Sequence, residues 1–108
     1  MEYRETRKTF GERGEETPLA GEMLVYYQGE TPQMVDFLCP CGCGRSCPTH
    51  VIPLEEKQKD PQGIWKNSCW GFDAKTLTLF PSIKWTSGCK AHFNIEQGKA
   101  IFHSDSGH

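Results

Sequence analysis

Four of the chain's six cysteines fall within the twelve residues "CPCGCGRSCPTH", Cys39 to His50. Two glycines and two prolines are interleaved with them. Such residues let a backbone curl tightly, which is what metal ligation needs: four N or S atoms must converge at about 2.0–2.3 Å from one ion. The N-terminal stretch "MEYRETRKTFGERGEETP" is charged and has no apolar run of the export type. The expected location is therefore cytoplasmic, where thiols stay reduced, and six cysteines there point to metal or redox chemistry rather than disulfides.

A second ligand pair stands far downstream. Ser87-Gly88-Cys89-Lys90-Ala91-His92 places a C-x-x-H pair on a turn just before a β-rich segment. Two assemblies are open. In the long-range one, two thiolates from Cys39, Cys41 and Cys43 join Cys89 and His92, so that two loops clamp one ion. In the local one, Cys41, Cys43, Cys47 and His50 form a compact C-x-C-x3-C-x2-H knuckle. The long-range set is preferred, because the local one leaves Cys89 and His92 without a role. Cys69, between Ser68 and Trp70, reads as a small buried hydrophobe. His50, His103 and His108 read as isolated polar groups.

Nearly every segment after the first twenty residues alternates strand and turn signals. "EMLVYY" and "MVDFLC" flank a turn and form a hairpin that ends on Cys39. "HVIPLEE", "IWKNSCWGF" and "LTLFPSIKW" supply further strands, and "HFNI-EQGK-AIFH" is a second hairpin around a glycine turn. About seven short strands give an all-β class, a small β-sandwich or barrel-like sheet pair. At 108 residues the chain is one domain. Residues 1–20 are expected to form a charged flexible arm and residues 21–108 a zinc-binding β domain. Trp65, Trp70 and Trp85 are expected to fill the core of so small a fold rather than to stack bases.

"CPCG" followed by "CKAHFNIEQGKAIF" resembles the two loops of Rieske domains, where a C-x-H turn and a C-x-x-H turn hold a two-iron cluster. The resemblance implies a small Rieske-like or zinc-ribbon-like β-sandwich with two metal-binding hairpin loops. That resemblance pairs Cys39 with Cys41, whereas the flanking glycines pair Cys41 with Cys43; Cys41 is common to both. A cysteine stands where the Rieske loop has histidine, and a two-histidine iron is what raises a Rieske potential. Three thiolates and one imidazole are an ordinary structural zinc set, so Zn²⁺ is the expected cofactor and [2Fe-2S] the alternative. The run "FLCPCGCG", "TLTLFPSI" and "GCKAHFNIEQGKA" also resembles a family of small bacterial and phage proteins often encoded beside ubiquitin-like proteins and their conjugating enzymes. The resemblance implies a role near protein modification or phage defence.

Function classes narrow accordingly. A net charge of −2 with 24% charged residues gives no basic field for nucleic acid, and no run is long and apolar enough for a membrane helix. Asp36 and Glu96 are the acidic residues near the motifs, but no H-x-E, H-E-x-x-H or Ser/His/Asp signature is recognisable. The expected role is a structural-zinc protein acting as an adaptor or interaction module for a protein partner. An iron–sulfur carrier and a thiol- or metal-dependent enzyme are the alternatives.

Overall fold

Apolar residues recur through Glu22–Gln28 and Thr31–Phe37 and draw these two strands over the core of a computed structural model, which describes residues 2–12 and 17–106. Eight strands follow in chain order: β1 Arg4–Thr9, β2 Glu22–Gln28, β3 Thr31–Phe37, β4 Thr49–Pro53, β5 Trp70–Asp73, β6 Thr78–Lys84, β7 His92–Glu96 and β8 Lys99–Phe102. Each pairs with the next, so one sheet runs in the order β1 to β8. The β1–β2 and β4–β5 pairs are parallel and the rest antiparallel. No helix among the described residues is long and apolar enough to cross a membrane.

The all-β class is as expected, and the architecture is a single curled sheet. Its wrap does what two packed layers would do, bringing strands from both ends over one core. The ends meet where Glu2 bridges Lys99 and the Tyr3 N–H donates to Gly98 O at 2.6 Å. Met23, Val25, Val35, Phe37, Phe93 and Ile95 fill the interior, with Phe37 edge-on to both Tyr3 and Phe93. A smaller cluster of Leu24, Tyr26 and Met34, flanked by Phe10, covers the other face of β2.

Part of the expected flexible arm is sheet. Arg4–Thr9 pairs in parallel register with Glu22–Tyr27, and Tyr3 is buried, with its hydroxyl donating to Leu38 O at 2.6 Å. Backbone pairing and one buried ring outweigh the charged composition of that strand. Residues 13–16 of the arm lie outside the described residues, as do 1, 107 and 108. The tryptophans divide: Trp70 and Trp85 pack against the core, while Trp65 lies edge-on to Phe80 with Lys57 and Lys59 over its ring.

One irregularity positions the chemistry. Leu79 pairs with Ile95 and Ile83 with Phe93, so four steps along β6 span only two along β7. Phe80, Pro81 and Ser82 therefore bow out opposite Asn94. Extra residues in one strand bend it and re-aim its side chains, and Pro81 has no N–H to contribute to a regular ladder.

Candidate active site and thiol centre

The first hairpin's continuation and the β6–β7 turn build a four-thiol cluster. The Cys39 N–H donates to Arg45 O at 2.7 Å and the Gly42 N–H to Cys39 O at 3.1 Å, which closes the loop on itself. Gly42 and Gly44, at φ 88° and 86°, take left-handed conformations that residues with a Cβ resist. Opposite, a turn closed by Lys90 N–H to Ser87 O delivers Cys89. Arg45 clamps the two loops: its guanidinium lies 4.3 Å over the Trp85 ring and packs directly on Gly88.

Cys39, Cys41, Cys43 and Cys89 bring their sulfurs within 4.8 Å of one another. The Cys39 sulfur is 3.4 Å from that of Cys41 and 3.9 Å from that of Cys89. A tetrahedral ion with metal–sulfur bonds of about 2.3 Å separates its sulfurs by roughly 3.8 Å, so the donor set fits one such ion. Burial pushes the Cys39 and Cys41 thiols upward, whereas the Arg45 N–H holds exposed Cys43 down at about 7. All three of Cys39, Cys41 and Cys43 join Cys89, where two of the three were expected. The local knuckle does not assemble: Cys47 is buried in the core, its thiol pushed up to about 12 by that burial, and His50 is exposed on a strand. Cys69 is half-buried.

His92 is not with the thiols. The pleat of β7 turns Phe93 and Ile95 to the core and sends His92, Asn94 and Glu96 to the outer face. There the Ser82 hydroxyl lies 2.9 Å from His92 Nε2, and His92 Nδ1 lies 2.6 Å from Asp105 Oδ1. Asp105 Oδ2 accepts from Lys84 Nζ at 3.2 Å. These two donors hold the Asp105 carboxyl down at about 2, so it is ionised and fixes the proton of His92 on Nδ1. Nε2 is then the free acceptor for the serine proton. His103, expected to be isolated, stacks on His92 with ring centroids 3.9 Å apart and 7° between planes; its own Nε2 meets Asn94 Oδ1. Asp36 and Glu96 take no part in this chain: Asp36 is half-buried, its pKa raised by desolvation, and Glu96 is exposed.

Serine, imidazole and carboxylate hydrogen-bonded in series form the constellation of serine hydrolases, which recurs on unrelated folds and in different chain orders. Sequence reading missed Ser82 and Asp105 because no local motif surrounds them. A proline in the middle of a strand, marking a bulge, was the one visible signal.

By fold and site, then, this is a small all-β protein in which a serine-hydrolase constellation stands next to a four-thiol centre. The chain belongs to the bacterial ubiquitination-like system serine protease (BubE) family, whose model matches residues 10–103. The matched span contains every cysteine, Ser82 and His92, and Asp105 lies two residues beyond it. Neither the curated proteins nor the solved structures give a match.

Proposed function

We propose that this protein is a serine protease of a bacterial ubiquitination-like system, cleaving an acyl bond in a protein that carries or precedes a ubiquitin-like modifier. The observation that carries the reading is the hydrogen-bond chain Ser82–His92–Asp105. The Ser82 oxygen attacks the acyl carbon while its proton passes to His92 Nε2. Ionised Asp105 stabilises the imidazolium that results, and Nε2–H then protonates the departing amine. Water repeats the sequence on the acyl-serine, giving a carboxylic acid and restoring the serine.

Two features support a protein substrate beyond the family's character as serine proteases. Phe80 and Ile101, 43% and 48% exposed, lie on the same outer face as His92. Between them a groove of about 460 Å³ runs along Asn94, Glu96 and Lys99. Exposed apolar surface beside a reactive serine suits a folded partner, so the interaction role inferred from sequence narrows to substrate recognition.

The second part of the proposal concerns the thiols. Cys39, Cys41, Cys43 and Cys89 hold Zn²⁺ in a closed, structural site, and His92 stays free for proton transfer. Sulfur spacings near those of a tetrahedral ion support this. The two-iron alternative is disfavoured because the four sulfurs all lie within 4.8 Å of one another, whereas a cluster of two irons, each taking two thiolates, would hold the two pairs further apart. Zinc there supplies folding free energy and takes no part in the bond cleavage.

Treating the zinc-loaded protein with a fluorophosphonate probe tests the reading. Labelling of Ser82, located by peptide mass, is expected, with loss of labelling in His92→Ala. Unlabelled Ser82 in folded wild-type protein would refute the proposal.

A further inference from the structure

Among the described residues, the strand that carries Ser82 also has an unpaired edge. The β5–β6 ladder stops at the Gly71–Phe80 pair. The β6–β7 ladder continues, and the Trp85 N–H donates to Ala91 O at 2.9 Å. Antiparallel residues alternate in the direction of their N–H and C=O groups. With Trp85 bonded to β7, Lys84 must direct both of its backbone groups to the opposite edge. Its cross-strand neighbour agrees: His92 accepts from the His103 N–H and donates its own N–H to Ser106 Oγ, both away from β6.

Across from that edge the chain Ser68–Trp70 diverges, with the Trp70 indole donating to Pro81 O at 2.9 Å. The result is a cleft of about 450 Å³ whose walls include Pro48, His50, Cys69, Trp70, Ile83 and Trp85. The only lysine or arginine in its lining, Lys84, is already bonded to Asp105. An anionic small molecule would therefore find no free cation there. What the cleft offers is a strand edge between indole walls, and the chemistry complementary to a strand edge is an extended peptide.

Resting on the serine-protease reading, we infer that the substrate enters as an extended polypeptide segment that pairs with the Lys84 backbone in this cleft, its scissile bond reaching Ser82. Lys84 is two residues from Ser82, roughly 7 Å along an extended chain, so the paired substrate residue stands about two positions from the scissile bond. Selection then falls on backbone extension and on side chains slim enough for the indole walls, while the outer face of β6–β8 holds the folded body of the substrate.

The test uses zinc-loaded Ser82→Ala protein and a ten-residue synthetic peptide with the C-terminal sequence of the ubiquitin-like protein encoded in the same system. Amide NMR should show the Lys84 N–H shifted downfield and slower to exchange as peptide saturates. N-methylation of the peptide amide that pairs with Lys84 should weaken binding about tenfold. In active protein, Ser68→Trp, which fills the cleft from an exposed position, should lower kcat/KM for the peptide at least about tenfold and leave fluorophosphonate labelling of Ser82 unchanged. Saturable binding with no change at Lys84, or wild-type peptide cleavage by Ser68→Trp, would overturn the inference. Ser82 that labels while the peptide fails to bind at millimolar concentration overturns the cleft alone. A Lys84 shift without labelling overturns the protease reading alone.

Discussion

Replacing Asp105 by asparagine keeps the shape of the site and removes its charge. The carboxylate stands 2.6 Å from His92 Nδ1 and 3.2 Å from Lys84 Nζ, and with its pKa at about 2 it is charged at every assay pH. Acidification therefore cannot substitute for the mutation, because the pairing is present above the ordinary carboxylate value and lost only as pH falls through about 2. The size of the effect follows from exposure. The Asp105 side chain is 54% exposed, so water screens its attraction for the imidazolium formed during the reaction. At a separation of about 4 Å, effective dielectrics from about 80 down to about 20 translate into rate losses from roughly fivefold to a thousandfold. The amide can also donate to Nδ1, leaving a proton on Nε2 facing Ser82; in a buried triad such a change costs about ten-thousandfold. Screening places the loss here at roughly a hundredfold to a thousandfold in kcat, with KM unchanged. The assay is steady-state cleavage of a ubiquitin-like precursor, with the melting temperature measured alongside to separate catalysis from folding. A loss below about fivefold at unchanged melting temperature would show that Asp105 is a surface carboxylate with no part in proton transfer.

Two further perturbations separate the centres. Cys39→Ser and Cys89→Ser should lose the metal and with it the fold, since a structural zinc contributes on the order of 10–16 kcal/mol of apparent binding free energy. By contrast, His92→Ala should keep about one zinc per chain by elemental analysis; zinc lost from His92→Ala but retained in Cys43→Ser would return the histidine to the ligand set. Gly88→Ala should lower the melting temperature by roughly 6–16 °C. Its φ of 66° costs a side chain about 1 kcal/mol, and the new Cβ, 2.8 Å from Arg45 Nη2, displaces a cation–π contact worth about 0.5–1 kcal/mol.

The strands and thiols were legible because both are local signals. Continuous apolar runs mark β2 and β3, and hydrophobic alternation marks β7. The Gln97-Gly98 pair, at φ 51° and 77°, has the chemistry of a tight hairpin. Cys39, Cys41 and Cys43 sit on one curled loop, so spacing alone gathers them. His92 was legible as a residue with chemistry, yet its partners were not. A C-x-x-H spacing records proximity along the chain, whereas the pleat decides direction, and burial of Ala91 and Phe93 turns His92 outward. Ser82 depends on two extra residues in β6, which only the pairing with β7 reveals. Asp105 follows the last strand and reaches His92 through the β8 register. Strand β1, "RETRKT", has no apolar face to announce it, and backbone pairing with β2 is what places it in the sheet.

The two centres share one hairpin. β6 carries Ser82, the turn carries Cys89, and β7 begins at His92. The angle between the strands is thus set from one end by the thiol cluster and Arg45 over Trp85, and from the other by the core around the Leu79–Ile95 pair. Catalytic geometry is unforgiving: a displacement of about 1 Å can cost a hundredfold in rate. A fold this small has little core with which to enforce such precision, and on the zinc reading proposed above a metal-pinned turn would supply the missing restraint. Activity should then track metal occupancy. During stepwise chelation, fluorophosphonate labelling of Ser82 should fall in proportion to zinc released, measured in the same samples by a colorimetric metal indicator. Full labelling in a folded, zinc-free fraction would break that link, leaving the thiol centre as a stabiliser of the fold with no hold on the geometry of the relay.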